Sequence, residues 1–75
     1  MNDKRRRFIK RGVELIMDGK SIIDTALEEE QECFDNLPEG IQCSDKGSEM
    51  EDAIDALQTA SDDIDDALGY LEDLV

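Results

Sequence analysis

The chain has no histidine and no tryptophan, one proline, two cysteines, and only Phe8, Phe34 and Tyr70 as aromatics. Each shortage removes a class of function. Without histidine the commonest acid–base group and the commonest metal-ligand nitrogen are missing, so triad chemistry and a structural zinc site both lack parts. Cys33 and Cys43 have no partner base that would activate a thiolate. Long apolar runs are absent as well. The basic start MNDKRRRFIKR is followed by Phe8-Ile9 and then by charge again, unlike a leader peptide or a membrane span. The expectation is a soluble intracellular protein with reduced thiols, a Cys33–Cys43 bridge forming only under oxidation.

Charge is what the chain has most of, and it is divided sharply. Residues 1–20 carry seven Lys/Arg and three Asp/Glu, whereas the remainder sets only Lys46 against eighteen acids, for a net charge of −13. At 75 residues this is one small domain, near the size where a single core barely offsets chain entropy.

Apolar residues recur in sevens. From Ile9 the chain reads IKRGVEL, IMDGKSI, IDTALEE, EQECFDN, and from Met50 it reads MEDAIDA, LQTASDD, IDDALGY, LEDLV. The first position holds Ile9, Ile16, Ile23 and Glu30, then Met50, Leu57, Ile64 and Leu71. The fourth holds Gly12, Gly19, Ala26 and Cys33, then Ala53, Ala60, Ala67 and Leu74. Val13, Lys20, Leu27 and Phe34, with Ile54, Leu68 and Val75, extend the apolar stripe at the fifth. Pairing first with fourth predicts a seam of alternating large and small residues, in which glycine permits close backbone approach. Gly12 and Gly19 each cost about 1 kcal/mol of helix propensity against alanine, which close packing would offset.

The intervening DNLPEGIQCSDKGS breaks the helical pattern at Pro38, Gly40 and Gly47. Asn36 suits the cap of a single turn near Pro38, and Leu37 and Ile41 suit the closure of the core. Either Ser44 or Ser48 can start the second helix, the latter through a capping box with Glu51. The predicted architecture is all-α: helix one over about 3–34, a connection over about 35–44, and helix two over about 45–74, folded back antiparallel in a single domain. Lys4, Arg5, Arg6, Arg7, Lys10 and Arg11 then become counter-charge for the acids near the end of helix two. Phe8, Leu15 and Ile22 stay wet on one flank, which self-association into a four-helix bundle or binding to another protein would cover; the homodimer is the favoured expectation.

The stretch EEEQECFDNLPEGIQCSDKGSEMEDAIDAL resembles a group of short proteins of bacteriophage and prophage genomes. Their pattern is a basic first helix, EEQE, an aromatic, DNLPE, a Ser and Gly among charges, and an acidic second helix. The matching residues are Glu29, Glu30, Gln31, Glu32, Phe34, Asp35, Asn36, Leu37, Pro38, Glu39, Ser44, Gly47, Glu49 and Met50. The resemblance implies a phage-encoded helical hairpin and transfers no residue roles. Small acidic phage proteins, anti-CRISPR proteins among them, often act by mimicking nucleic acid.

That implication agrees with the residues. Ten acids from Glu49 to Asp73 span roughly 37 Å of helix at 1.5 Å per residue, one per ~4 Å. A nucleic-acid strand carries one charge per about 3.4 Å. The leading expectation is a non-enzymatic protein that binds another protein, with Glu51, Asp52, Asp55, Asp62, Asp63, Asp65, Asp66, Glu72 and Asp73 as the candidate contacts; the plainer reading of those acids is the solvated face of a bundle. The alternatives are a structural hairpin and nucleic-acid binding through RRRFIKR with Phe8 stacking on bases. An enzyme is the weakest reading. Glu29-x-x-Glu32 and Glu49-x-x-Asp52 resemble the magnesium carboxylates of all-α nucleotide pyrophosphohydrolases, yet Glu32 and Asp52 fall on outward positions. The run Asp62 to Asp66 lacks the glycine bend and alternating ligands of a calcium loop. No catalytic, cofactor or metal residue is expected.

Overall fold

A computed structural model describes all of residues 1–75. It contains α1 (Asp3–Asp35), a one-turn α2 (Glu39–Gln42) and α3 (Asp45–Glu72), with α1 and α3 packed antiparallel as a hairpin 58 Å long.

Helix boundaries follow from local chemistry. Asn2 caps α1, its Oδ1 accepting from the Arg5 N–H at 2.9 Å. Asn36 closes the same helix, its N–H donating to the Glu32 carbonyl; it is the C-cap of α1 and not the cap of α2, which is Pro38. The Gln42 side chain reaches back and donates to the carbonyls of Phe34 at 3.0 Å and Leu37 at 3.2 Å. The Leu37 oxygen would otherwise lack a partner, while the Phe34 oxygen also accepts from the Leu37 N–H at 3.0 Å. Ser44, not Ser48, starts α3, accepting from the Gly47 N–H and donating to the Ile41 carbonyl. Helix α3 stops at Glu72, where the Leu74 N–H bonds the Leu71 carbonyl in a tightened last turn.

The seam is where structure departs from the sequence reading. Residues that turn inward are Ile9, Val13, Lys20, Ile23, Leu27 and Phe34 on α1, and Gly47, Met50, Ile54, Leu57, Ser61, Ile64, Leu68 and Leu71 on α3. These are first and fifth positions, spaced alternately by three and four residues as in an antiparallel coiled coil. At the fourth position Gly12 and Gly19 are half-buried, but Ala26, Cys33, Ala53, Ala60, Ala67 and Leu74 are exposed, and Ile16 is the one exposed residue at the first. The reason is volume: the fifth position offers Val, Leu and Phe to the partner helix, and the fourth offers little to bury. A Cβ added to Gly12 or Gly19 would meet nothing within 4 Å, so neither glycine serves close packing inside the hairpin. Leu37 is half-buried at the closed end as expected, but Ile41 lies exposed.

The core is thin. Val13, Leu68, Ser61 and Gly47 are the only buried residues, and no side chain is fully enclosed.

Candidate functional site

Two positions inside the seam are polar, and they meet. Ser61 is 5 % exposed, and its hydroxyl donates to Asp24 Oδ1 at 2.6 Å. Lys20 reaches Asp24 Oδ2 at 2.7 Å and Asp65 Oδ1 at 3.4 Å. The hydrogen bond with Asp24 is the main cause that raises the Lys20 pKa above its ordinary value, while its partial burial acts the other way. Asp24 is held below its own ordinary value, first by Lys20 and then by the Ser61 hydroxyl. This cluster ties the two helices at one register, the use best attested for polar groups in a coiled-coil seam.

The register places every charged candidate. Asp24 faces Ser61 and Lys20 faces Asp65, so each step back along α1 is matched by a step forward along α3. Continued to the open end, that rule puts Arg11 opposite Leu74 and carries Arg5, Arg6 and Arg7 past the end of α3. The basic head is therefore not the counter-charge of the acidic helix. Arg6 pairs with Asp3 at 3.5 Å and Arg11 with Glu14 at 3.2 Å, both within α1, and the Lys4 ammonium lies 5.8 Å from the Phe8 ring centre. Lys20–Asp65 is the sole ion pair between the helices.

All nine acidic candidates, Glu51, Asp52, Asp55, Asp62, Asp63, Asp65, Asp66, Glu72 and Asp73, are exposed. They do not form one strip. Asp62 and Asp65 join Asp24, Glu28, Glu32 and Asp35 of α1 around a shallow groove of about 690 Å³, and Lys20 is its one cation. Asp55 and Glu51 continue the same flank toward the closed end, in successive turns of α3 before Asp62. Glu72 continues it toward the open end, beside Asp18 and Ser21 of α1. Asp52, Asp66 and Asp73 point away from α1, and Asp63 belongs to the opposite flank.

Sequence reasoning missed the α1 half of this groove. The signal was present: Asp24, Glu28, Asp35, Asp62 and Asp65 each directly follow a seam residue, but only once the seam is phased on the first and fifth positions. The opposite flank carries Phe8, Leu15 and Ile22, exposed at 66, 54 and 71 %. Cys33 and Cys43 are both free and exposed. No three Asp, Glu or Cys side chains converge in a manner that would hold a metal ion. No helix is long and apolar enough to cross a membrane. No protein-family model matches the chain, and neither does any curated protein or solved structure.

Proposed function

We propose that this chain is a phage- or prophage-type protein that acts without chemistry, by binding a basic groove on a bacterial protein that handles nucleic acid. One observation carries the reading: the two helices together present an acidic flank whose single cation, Lys20, is already engaged by Asp24 and Asp65. The carboxylates of Asp24, Glu28, Glu32, Asp35, Asp62 and Asp65 thus line one groove with no free positive charge among them. Such a surface attracts a cationic groove at long range and repels phosphate.

The geometry suits substitution for a nucleic-acid strand. On the groove flank α3 sets Glu51, Asp55, Asp62, Asp65 and Glu72 one per ~8 Å of axis, and the row from α1 (Asp24, Glu28, Glu32 and Asp35) brings the two-row density to one per ~4 Å, against about 3.4 Å per strand phosphate. A helix also holds its charges in fixed positions, so little ordering entropy is spent on binding.

The test is capture of partners from a bacterial host lysate, followed by identification of what is retained and competition with duplex and single-stranded DNA. Exchange of Glu51, Asp55, Asp62 and Asp65 together for Gln and Asn should weaken capture at least tenfold, and exchange for Lys should abolish it. DNA should displace the captured protein. Capture that survives the quadruple exchange, or a partner indifferent to DNA, overturns the reading.

A further inference from the structure

The flank opposite the acidic groove is built differently, and the hairpin does not account for it. Its heptad positions are the fourth and the seventh. Along α1 these alternate small and bulky: Phe8, Gly12, Leu15, Gly19, Ile22, Ala26. The bulky members are more than half exposed, and a Cβ on either glycine would project into open space. Two helix-weakening glycines and three wet apolar side chains on one face have no function within a single hairpin that encloses no side chain completely.

We infer that this face is the docking surface for a second copy of the chain, packed antiparallel, α1 against α1, about a two-fold axis near Met17. Only that register pairs all six residues of the stripe, bulky with small; antiparallel registers shifted by one heptad pair four of them. Across such an axis Phe8 meets Ala26, Gly12 meets Ile22, and Leu15 meets Gly19, so each bulky residue of one copy enters the gap beside a small residue of the other. An isologous interface requires this reciprocity. The same symmetry sets Arg5 of one copy against Glu29 of the other, at both ends of the interface. A parallel arrangement would instead bring Arg5 to Arg5 and Glu29 to Glu29, which like-charge repulsion disfavours. The basic head that overshoots α3 therefore finds its counter-charge in the partner's closed end.

The α3 side of the face is compatible at its fourth positions, which lie nearest α1, with Asp63 and Tyr70 farther round at the seventh. Ala53, Ala60 and Ala67 are exposed there, and their small side chains allow a second hairpin to approach closely. The paired stretch, residues 5–29, runs roughly 36 Å along a hairpin 15 Å across. This inference does not rest on the acidic-partner reading, because it uses the opposite flank and leaves both acidic grooves of the dimer facing outward.

Sedimentation equilibrium on the full chain tests it, with helicity followed by circular dichroism. Wild-type protein should sediment with the mass of two chains. Gly19→Leu should keep or raise helicity, since its side chain enters empty space in the hairpin, yet weaken dimerisation at least tenfold. Adding Leu15→Ala to Gly19→Leu exchanges the bulky and small positions and should restore the dimer. Likewise Arg5→Glu should weaken association, and Arg5→Glu with Glu29→Arg should recover it. The antiparallel pairing keeps the two Cys33 thiols roughly 48 Å apart along the axis. A monomeric wild type, a dimer indifferent to Gly19→Leu, a failed rescue in both double variants, or ready Cys33–Cys33 cross-linking would each overturn the proposal.

Discussion

Lys20 sits where a coiled coil ordinarily buries Leu or Ile, and its side chain is only 19 % exposed. Its charge is tolerated because Asp24 accepts its ammonium at 2.7 Å and Asp65 stands 3.4 Å away on the other helix. Ser61, the matching irregularity on α3, donates to the same carboxylate. Asp24 is thus the hub, and its depressed pKa has a definite consequence for stability. A carboxyl group whose folded pKa lies below its unfolded value contributes stability above the unfolded value, and loses that contribution as pH falls through the folded one. Asp24→Asn should therefore melt below the wild type at pH 7, and the gap should close as pH drops beneath the ordinary value of 3.8. Lys20 is raised, so the opposite sign applies: the gap between wild type and Lys20→Met should persist below 10.5 and close only at higher pH. Thermal melts by circular dichroism across both ranges read the two gaps. A gap for Asp24→Asn that widens on acidification would mean the hub is not ionised in the fold.

At the scale of elements, the junction between α2 and α3 depends on one missing side chain. Gly47 lies in the first turn of α3, packed on the end of α2. A Cβ there would collide with the Gln42 carbonyl oxygen and lie 2.6 Å from that of Ile41. These are backbone atoms and cannot swing aside. Gly47→Ala should cost about 1–3 kcal/mol, the range for forced overpacking, whereas Gly69→Ala, whose Cβ meets nothing, should gain about 0.5–1 kcal/mol. Comparing their melting temperatures checks both, and a Gly47→Ala protein as stable as wild type would show that the α2–α3 junction can relax. The elements themselves were legible in the sequence, because Pro38, Gly40 and Ser44 punctuate it and the sevenfold repeat runs unbroken on either side. The seam's phase was not. A repeat stepping three then four residues and one stepping four then three share their first position and differ only in which neighbour they choose. Lys20 and Ser61 disguised the true choice by putting polar residues at the fifth position, and the regular Gly and Ala at the fourth looked like a designed groove. Those two polar residues stand about one helical turn apart along the hairpin, which was the available sign that they belong together. The acidic groove inherited the same error, since a wrong phase turns Asp24 and Glu28 away from Asp62 and Asp65.

For the whole molecule, the dominant unfavourable term outside chain entropy is the repulsion among its acids. The net charge is −13, and residues beyond Lys20 include one cation. On α3, Glu51–Asp55 and Asp62–Asp66 are like charges four residues apart, and Asp52–Asp55, Asp62–Asp65 and Asp63–Asp66 are three apart. Each such pair destabilises an exposed helix by about 0.2–0.5 kcal/mol. Glu72 and Asp73 also face the negative end of the helix dipole, with no basic residue in the last turn to offset it. Against this stands a core that encloses no side chain fully. Screening length falls from about 10 Å at 0.1 M salt to about 3 Å at 1 M, short enough to mute charges one helical turn apart. Added salt should therefore raise the melting temperature of the hairpin. The clean measurement uses Gly19→Leu, in which the proposed dimer is blocked, because the Arg5–Glu29 contacts of a dimer would weaken with salt and oppose the effect. If the blocked variant instead melts lower at 1 M chloride than at 0.1 M, the ion pairs of Arg6, Arg11 and Lys20 outweigh the repulsion, and the acidic flank is less costly to the fold than its charge suggests.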